Sequence, residues 1–403
     1  MQKKIVALAV AGLSTAAFAQ TNVTIYGVAD ISGQGFSMSQ GKQNPPAGQS
    51  SSGNIFAVQS NSSLLGFKGT EDLGNGLKAL FQAETTLNLQ GGSSLAVNNG
   101  TLFGAMRDSF LGVSSKYGTV QAGYLSTPLR SSLTSFSVMP GATGSSQIDV
   151  YMGTMRFADQ AGNNTQSFQY GSAIRATAIA YAMPTLYGFN ASIAYTGSNN
   201  NGTTNTTSAA SGTGCNDFSA CVVTPQSAWG FNLGWTGYGV NVQGAFQQQN
   251  NQLSGVGTQN LGDYTSYLVG ASYTGIPGLK TSVAYMRNTL GTNGTSLLTN
   301  GAGKLTNNQL SAGASYRMGN WEPRIQAYWL SDVNGSNVQE LGARLWNANL
   351  GYYLSKRTQV YGTIANLNNS ANQNYSFAQQ QNSLKPTGGN NLFTYGLGMR
   401  TTF

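Results

Sequence analysis

The chain has 403 residues, with 20 Lys and Arg against 12 Asp and Glu and no His, giving a net charge of +8 and a pI near 9.4. Without histidine there is no Ser-His-Asp triad, no Cys-His dyad and no His-ligated zinc, and the dispersed basic residues form no run of the kind a dedicated nucleic-acid site needs. Charged residues make up only 8%, against roughly 25% in a soluble domain, so an ordinary hydrated surface is excluded too.

At the amino terminus, Lys3 and Lys4 precede a mostly apolar stretch that closes with Ala17, Phe18 and Ala19 before Gln20. This predicts a secretory signal peptide over 1–19, too short to span a bilayer as a helix. Residues 20–403 read as one domain. No later stretch has the roughly eighteen consecutive apolar residues of a membrane helix. The pattern has period two instead, which is the period of a strand. Trp229, Phe231, Leu233 and Trp235 alternate with Gly230, Asn232, Gly234 and Thr236. Tyr267, Val269, Ala271 and Tyr273 alternate with Ser266, Leu268, Gly270 and Ser272. A soluble sandwich or propeller would carry far more charge on its outer face, and a propeller would show a blade repeat.

Connections between these segments alternate in length. Short ones fall near 72–76, 117–118, 185–188, 237–239, 275–278, 317–321 and 354–357. Long ones fall near 34–55, 91–104, 127–171, 198–226, 250–263, 289–306, 332–340 and 368–391. Seven turns and eight loops join sixteen antiparallel strands. Short periplasmic turns with longer outer loops are the signature of a transmembrane β-barrel of the Gram-negative outer membrane. The final strand agrees. Phe393, Tyr395, Leu397, Met399 and Phe403 share one face, and Thr394, Gly396, Gly398 and Arg400 the other. A strand at bilayer depth must pair all its backbone groups, so such an ending implies closure of a cylinder. The fold expected is all-β: a sixteen-stranded antiparallel barrel.

Two features concern the loops. Cys215 and Cys221 lie in one Gly/Asn/Ser/Thr-rich loop and, in an exported chain, are expected to staple it as a disulfide. The longest loop, about 127–171, holds Arg130, Asp149, Arg156 and Asp159, four charges in a charge-poor chain. A long charged loop beside polar lumen walls can narrow a channel and set its field. Lys68 shares a face with Leu64 and Gly66, opposite Leu65 and Phe67, which puts it in the lumen if the latter pair faces lipid. Alternation is less decisive for Arg107, because Leu111 and Val113 share its face.

Several stretches resemble the general porins of β-proteobacteria, of the neisserial and Burkholderia type. They are the run 63–79 (Ser-Leu-Leu-Gly-Phe-Lys-Gly-Thr-Glu-Asp-Leu-Gly-Asn-Gly-Leu-Lys-Ala), Phe110 to Val113 with Tyr117 to Val120, Leu354 to Thr358 with Tyr361, and Gly398 to Arg400 with Phe403. The resemblance implies a water-filled, homotrimeric pore whose third long loop folds inward as the constriction. The chain departs from the pattern at Leu64 and Tyr124, where the family commonly has basic residues; both are read as pore-lining positions that could offer apolar contact to an organic solute. Arg107, Arg175 and Lys68 remain as the basic wall, with Lys280, Arg324 and Arg400 as further lumen charges.

The function expected is passive diffusion of ions and small hydrophilic solutes, weakly anion-leaning. No catalytic residue, metal site or cofactor is expected. Expected partners are lipid and lipopolysaccharide of the outer membrane, two further copies of the chain, and the solutes. A solute-preferring or weakly selective channel is the alternative, and a receptor or adhesin barrel a second one.

Overall fold

Alternating exposure organises the whole chain. In the computed structural model Phe393, Tyr395, Leu397, Met399 and Phe403 are exposed, while Thr394 between them is fully buried. Tyr267 and Val269 are exposed around the buried Leu268, and Ile325 and Trp329 around the buried Gln326 and Tyr328. An apolar exposed face over a polar covered one inverts the soluble arrangement and fits a barrel in lipid. The structure describes residues 22–41, 52–90, 102–141, 143, 148–158, 167–197, 227–250, 262–292, 303–377, 386 and 388–403. The expected signal peptide at 1–19, the expected Cys215–Cys221 disulfide and Asp159 lie outside the described residues.

The strands are β1 (Asn22–Met38), β2 (Gly53–Ser60), β3 (Leu64–Gly74), β4 (Leu77–Leu87), β5 (Phe103–Met106), β6 (Ser109–Ser115) and β7 (Gly118–Ser126). A small hairpin, β8 (Thr154–Ala158) and β9 (Ser167–Gly171), interrupts the series. The wall resumes with β10 (Arg175–Ala182), β11 (Phe189–Thr196), β12 (Ser227–Gly237), β13 (Val240–Asn250), β14 (Tyr264–Tyr273) and β15 (Leu279–Gly291). It ends with β16 (Lys304–Tyr316), β17 (Trp321–Leu330), β18 (Ala343–Tyr353), β19 (Thr358–Asn369) and β20 (Asn391–Thr402). All but β8 and β9 belong to one 18-stranded antiparallel sheet.

Closure comes from β1, which pairs with β20 from Val28↔Thr402 to Met38↔Leu392. Its other edge pairs first with β3 and then with β2. Thus β2 and β3 are halves of one strand, broken at 61–63, where Ser62 takes a positive φ of 57°. Likewise β5 and β6 both pair with β4 and are halves of another strand. Each broken pair counts once, so the wall is a closed sixteen-stranded barrel, as its residue pattern predicts.

All seven short turns occur where expected. One of the two-residue turns, Tyr238 with Gly239 between β12 and β13, has φ of 51° and 76°. Positive φ at both central residues is the two-residue turn whose twist matches the strands it joins. Elsewhere glycine makes room for aromatic rings on the neighbouring strand. A Cβ on Gly66 would lie 2.3 Å from the Tyr26 ring. Gly66→Val is expected to cost about 1–3 kcal/mol as an overpacked site, read as a lower urea midpoint for the refolded barrel.

Candidate functional site

The connection between β7 and β10 is more ordered than a loop reading allows. Thr127 caps a helix, Pro128–Ser135, by accepting from the Arg130 amide, with Pro128 at the first helical turn. Both choices are favourable: the cap satisfies a free N–H, and proline lacks one to lose. A short second helix, Ile148–Tyr151, and the β8–β9 hairpin follow. Sequence reading misses them because the helix is one apolar stripe in a polar run, and its partners lie far away in sequence. Leu129, Leu133, Phe136 and Tyr151 are fully buried, in one cluster with Leu268, Met286, Tyr328 and Leu367 of the wall. Those wall residues alternate with the exposed ones.

Polar wall side chains hold the backbone of this segment. Gln326 accepts from the Val138 amide at 3.0 Å, and Gln309 accepts from the Gly153 amide at 2.7 Å. Ser282 donates to the Phe136 carbonyl at 2.6 Å, and Lys280 to that of Ser137 at 2.7 Å. Thr143 donates to Asp30 at 2.6 Å. All but the last of these bonds satisfy backbone groups that would otherwise be buried without partners. Lys280 therefore fastens the segment rather than standing as a free wall charge.

The charged residues gather where the helix meets the wall. Arg130 pairs with Asp149 at 2.5 Å and donates to the Ala173 carbonyl at 2.7 Å. Arg175 pairs with Asp108 at 2.8 Å, and Ser126 donates to the same carboxylate. Arg107 pairs with Glu84, which also accepts from the Tyr26 hydroxyl at 3.1 Å. Burial lowers the pKa of Arg130, Asp149 opposes this, and the cations Arg175 and Arg107 add to the lowering. Three arginines and three carboxylates therefore form one interleaved cluster. Lys68 sits 5.1 Å from the centre of the Tyr26 ring and has no ion-pair partner among the described residues. Lys68 is exposed, and at an exposed site such a cation–π contact is worth only about 0.5–1 kcal/mol, so the charge stays within reach of solvent.

The remaining candidates separate. Leu64, half-buried, stands opposite Val28 in the alternation of Lys68. Tyr124 is a correction: by register it stands opposite Ser109 and Thr177, in phase with the exposed Ala122 and Val120. It belongs to the outward set, and Gly123 and the buried Leu125 hold the covered positions. Arg156 is also corrected, since it is 2% exposed and lines no open surface. It donates to the Asn374 carbonyl at 2.7 Å and stacks over Tyr375, so it joins the hairpin to the last long loop. Arg324 is buried among Glu322, Asn349, Tyr353 and Gln359. Arg400 pairs with Asp30 at 3.1 Å. Arg107 reaches Glu84 because the break between β5 and β6 shifts the alternation by one residue: Met106 and Leu111, five positions apart, are both exposed.

Sequence reading overlooked Asp30, Glu84 and Asp108. Asp30 is fully buried, accepting from Asn61, Tyr361, Thr143 and Arg400. The available signal was a carboxylate in an otherwise uncharged strand, which is costly unless paired. Tyr375, in the last long loop, is likewise buried and donates to the Thr154 carbonyl at 3.0 Å. Burial pushes its phenol well above the ordinary value, with Arg156 opposing. The folded chain thus keeps this proton after the unfolded chain loses it near pH ~10, so the contribution is present below that pH and lost as pH rises further. Tyr375→Phe is expected to flatten the alkaline fall of the urea midpoint between about pH 9 and 11.

Comparison with known proteins agrees with this geometry. A family model described as Gram-negative porin matches residues 6–372. Outer membrane porin protein 32 of Delftia acidovorans is 30% identical over 379 residues, covering 92% of this chain and 90% of that one. Major outer membrane protein P.IB of Neisseria gonorrhoeae is 35% identical over 136 residues, 32% of this chain and 34% of that one. Among solved structures, the anion-selective porin from Comamonas acidovorans superposes with a TM-score of 0.71 at 23% identity, over 95% of this chain and 100% of that one. Salmonella typhi OmpF in complex with daunomycin does so at 0.59 and 16% identity, over 96% and 98%. The closed sixteen-stranded wall, its lipid-type exposed face and a relative that spans nine-tenths of the chain place this protein in the Gram-negative porin family, as a channel of the outer membrane.

Proposed function

We propose that this porin is a general-diffusion channel for ions and small hydrophilic solutes. In this reading the segment from Thr127 to Ile174 folds into the lumen as its constriction, and the pore leans only weakly toward anions. The observation that carries it is the interleaved cluster of Arg107, Arg130 and Arg175 with Glu84, Asp108 and Asp149. Fixed charge at the narrowest point sets which ions concentrate there. With each arginine matched by a carboxylate, Lys68 is left as the excess cation. Water and salt screen it over about 8 Å, so the preference is modest. The Delftia relative is named a porin and the Comamonas neighbour an anion-selective one, which supports the sign.

Three copies are the expected assembly. Phe56, Tyr395 and Leu397 on β2 and β20 are among the most exposed apolar side chains of the wall, beside the barrel closure, where a neighbouring barrel or lipid and lipopolysaccharide would cover them. The test is conductance of the refolded, signal-free protein in a planar bilayer under a salt gradient. Steps in groups of three with a reversal potential slightly on the chloride side are expected. A folded barrel without conductance would overturn the channel reading, and a cation-side potential would overturn the anion lean.

A further inference from the structure

Beside the charged cluster, on the turn-side flank of the Pro128–Ser135 helix, the wall holds a cavity of about 190 Å³. It lies between β6, β7, β10 and β11 on one side and the start of the helix on the other. Phe110, Leu125 and Pro128 supply an apolar surface, and Asp108, Gln121 and Ser131 supply polar atoms. We propose that this cavity is a binding subsite for a neutral, polyhydroxylated six-membered ring, a monosaccharide, within the pore. The proposal deepens the channel reading and rests on it.

Size is the first argument. A dry cavity of about 150 Å³ holds benzene, so about 190 Å³ suits a six-membered ring with small substituents. Shape and chemistry are the second. Small-molecule sites combine an apolar surface with a few placed polar groups. A pyranose has an apolar face for Phe110 and a hydroxyl rim for the polar side.

The hydrogen-bonding inventory favours the same class. Gln121 offers both a donor and an acceptor, and the Ser131 hydroxyl can act as either. Neither side chain has a hydrogen-bond partner among the described residues. Asp108 only accepts when ionised, and it keeps lone pairs beyond those used by Ser126 and Arg175. It therefore calls for a donor such as a hydroxyl.

Charge excludes the competing classes. The lining contains a carboxylate and no cation, which disfavours phosphates and carboxylates. That carboxylate is already matched by Arg175 at 2.8 Å, which removes the gain an ammonium ligand would draw from it. A neutral ring is what remains.

The test is current noise from single channels of the refolded full-length barrel, with glucose as the probe and open-chain sorbitol as the control. Phe110→Ala and Gln121→Ala change no charge, so conductance in salt alone reports whether each variant still forms the pore. The expected result is reversible current interruptions that saturate with glucose, are absent with sorbitol, and need at least a tenfold higher glucose concentration in either variant. Conducting channels with no saturating glucose effect would overturn the subsite and leave the porin reading standing, as would equal effects of glucose and sorbitol. Glucose interruptions unchanged by both variants would also overturn it. Absence of conductance in salt alone would instead strike the channel reading itself.

Discussion

Glu84→Gln combined with Asp108→Asn is expected to make the pore clearly anion-selective. Each substitution keeps size and one acceptor oxygen but frees one arginine, Arg107 or Arg175, of its carboxylate. Two unit charges about 4 Å apart interact by about 1 kcal/mol in water, which is roughly a fivefold change in local ion concentration before screening. Screening at physiological salt acts over about 8 Å and reduces this. Each carboxylate removed should therefore raise the chloride-over-potassium permeability ratio about two- to fivefold. The reversal potential under a salt gradient reads this directly. Lys68→Gln should move it the other way, since that lysine has no carboxylate of its own among the described residues. An unchanged potential in the double variant, with normal conductance steps, would mean that the cluster lies away from the ion path.

The wall was readable from residues because a lipid-facing strand imposes a strict period of two on every exposed position. Turn positions were readable because they need glycine or a residue that tolerates positive φ, as at Asn75–Gly76 and Tyr238–Gly239. The site was less legible. Alternation placed Lys68 and left Arg107 undecided, because a break at Arg107–Asp108 shifts the phase and nothing local marks it. It could not reveal that Arg156 is buried, since its partners Asn374 and Tyr375 lie more than two hundred positions away. Comparison with a family pattern put Tyr124 in the lumen at a position whose register faces outward. A residue type at an aligned position carries no strand phase of its own. The carboxylates that neutralise the arginines were missed for a related reason. Interest fell on the charge excess, whereas the pairing partners sit one or two strands away.

Removal of the Asp30 carboxylate is expected to have the largest effect on the segment between β7 and β10 itself. Its side chain accepts from Asn61 at 3.1 Å, Tyr361 at 2.6 Å, Thr143 at 2.6 Å and Arg400 at 3.1 Å, with none of its surface exposed. It is thus one node joining β1, the break between β2 and β3, strands β19 and β20, and Thr143 of the segment between β7 and β10. Asp30→Ala leaves Arg400 without its carboxylate and Tyr361 without the acceptor of its hydroxyl, while Asn61 and Thr143 fall back on Ser32 and the Pro140 carbonyl. Breaking a buried pair from one side costs about 3–5 kcal/mol. Asp30→Asn is the informative companion, because it keeps one acceptor oxygen, enough for either Thr143 or Tyr361, which bond opposite oxygens of Asp30, while removing the charge that holds Arg400. Both variants should show lower urea midpoints, with alanine the lower. In channels that still insert, Asp30→Ala should also add open-channel noise and faster backbone hydrogen exchange near Pro140, Gly141 and Thr143, because the neighbouring hydrogen bonds from the wall to that stretch, among the described residues, are those at Val138 and Gly153. Equal noise and exchange in wild type and Asp30→Ala would mean that the Thr143 contact does not hold the segment, and that the apolar cluster around Leu129, Leu133 and Phe136 suffices.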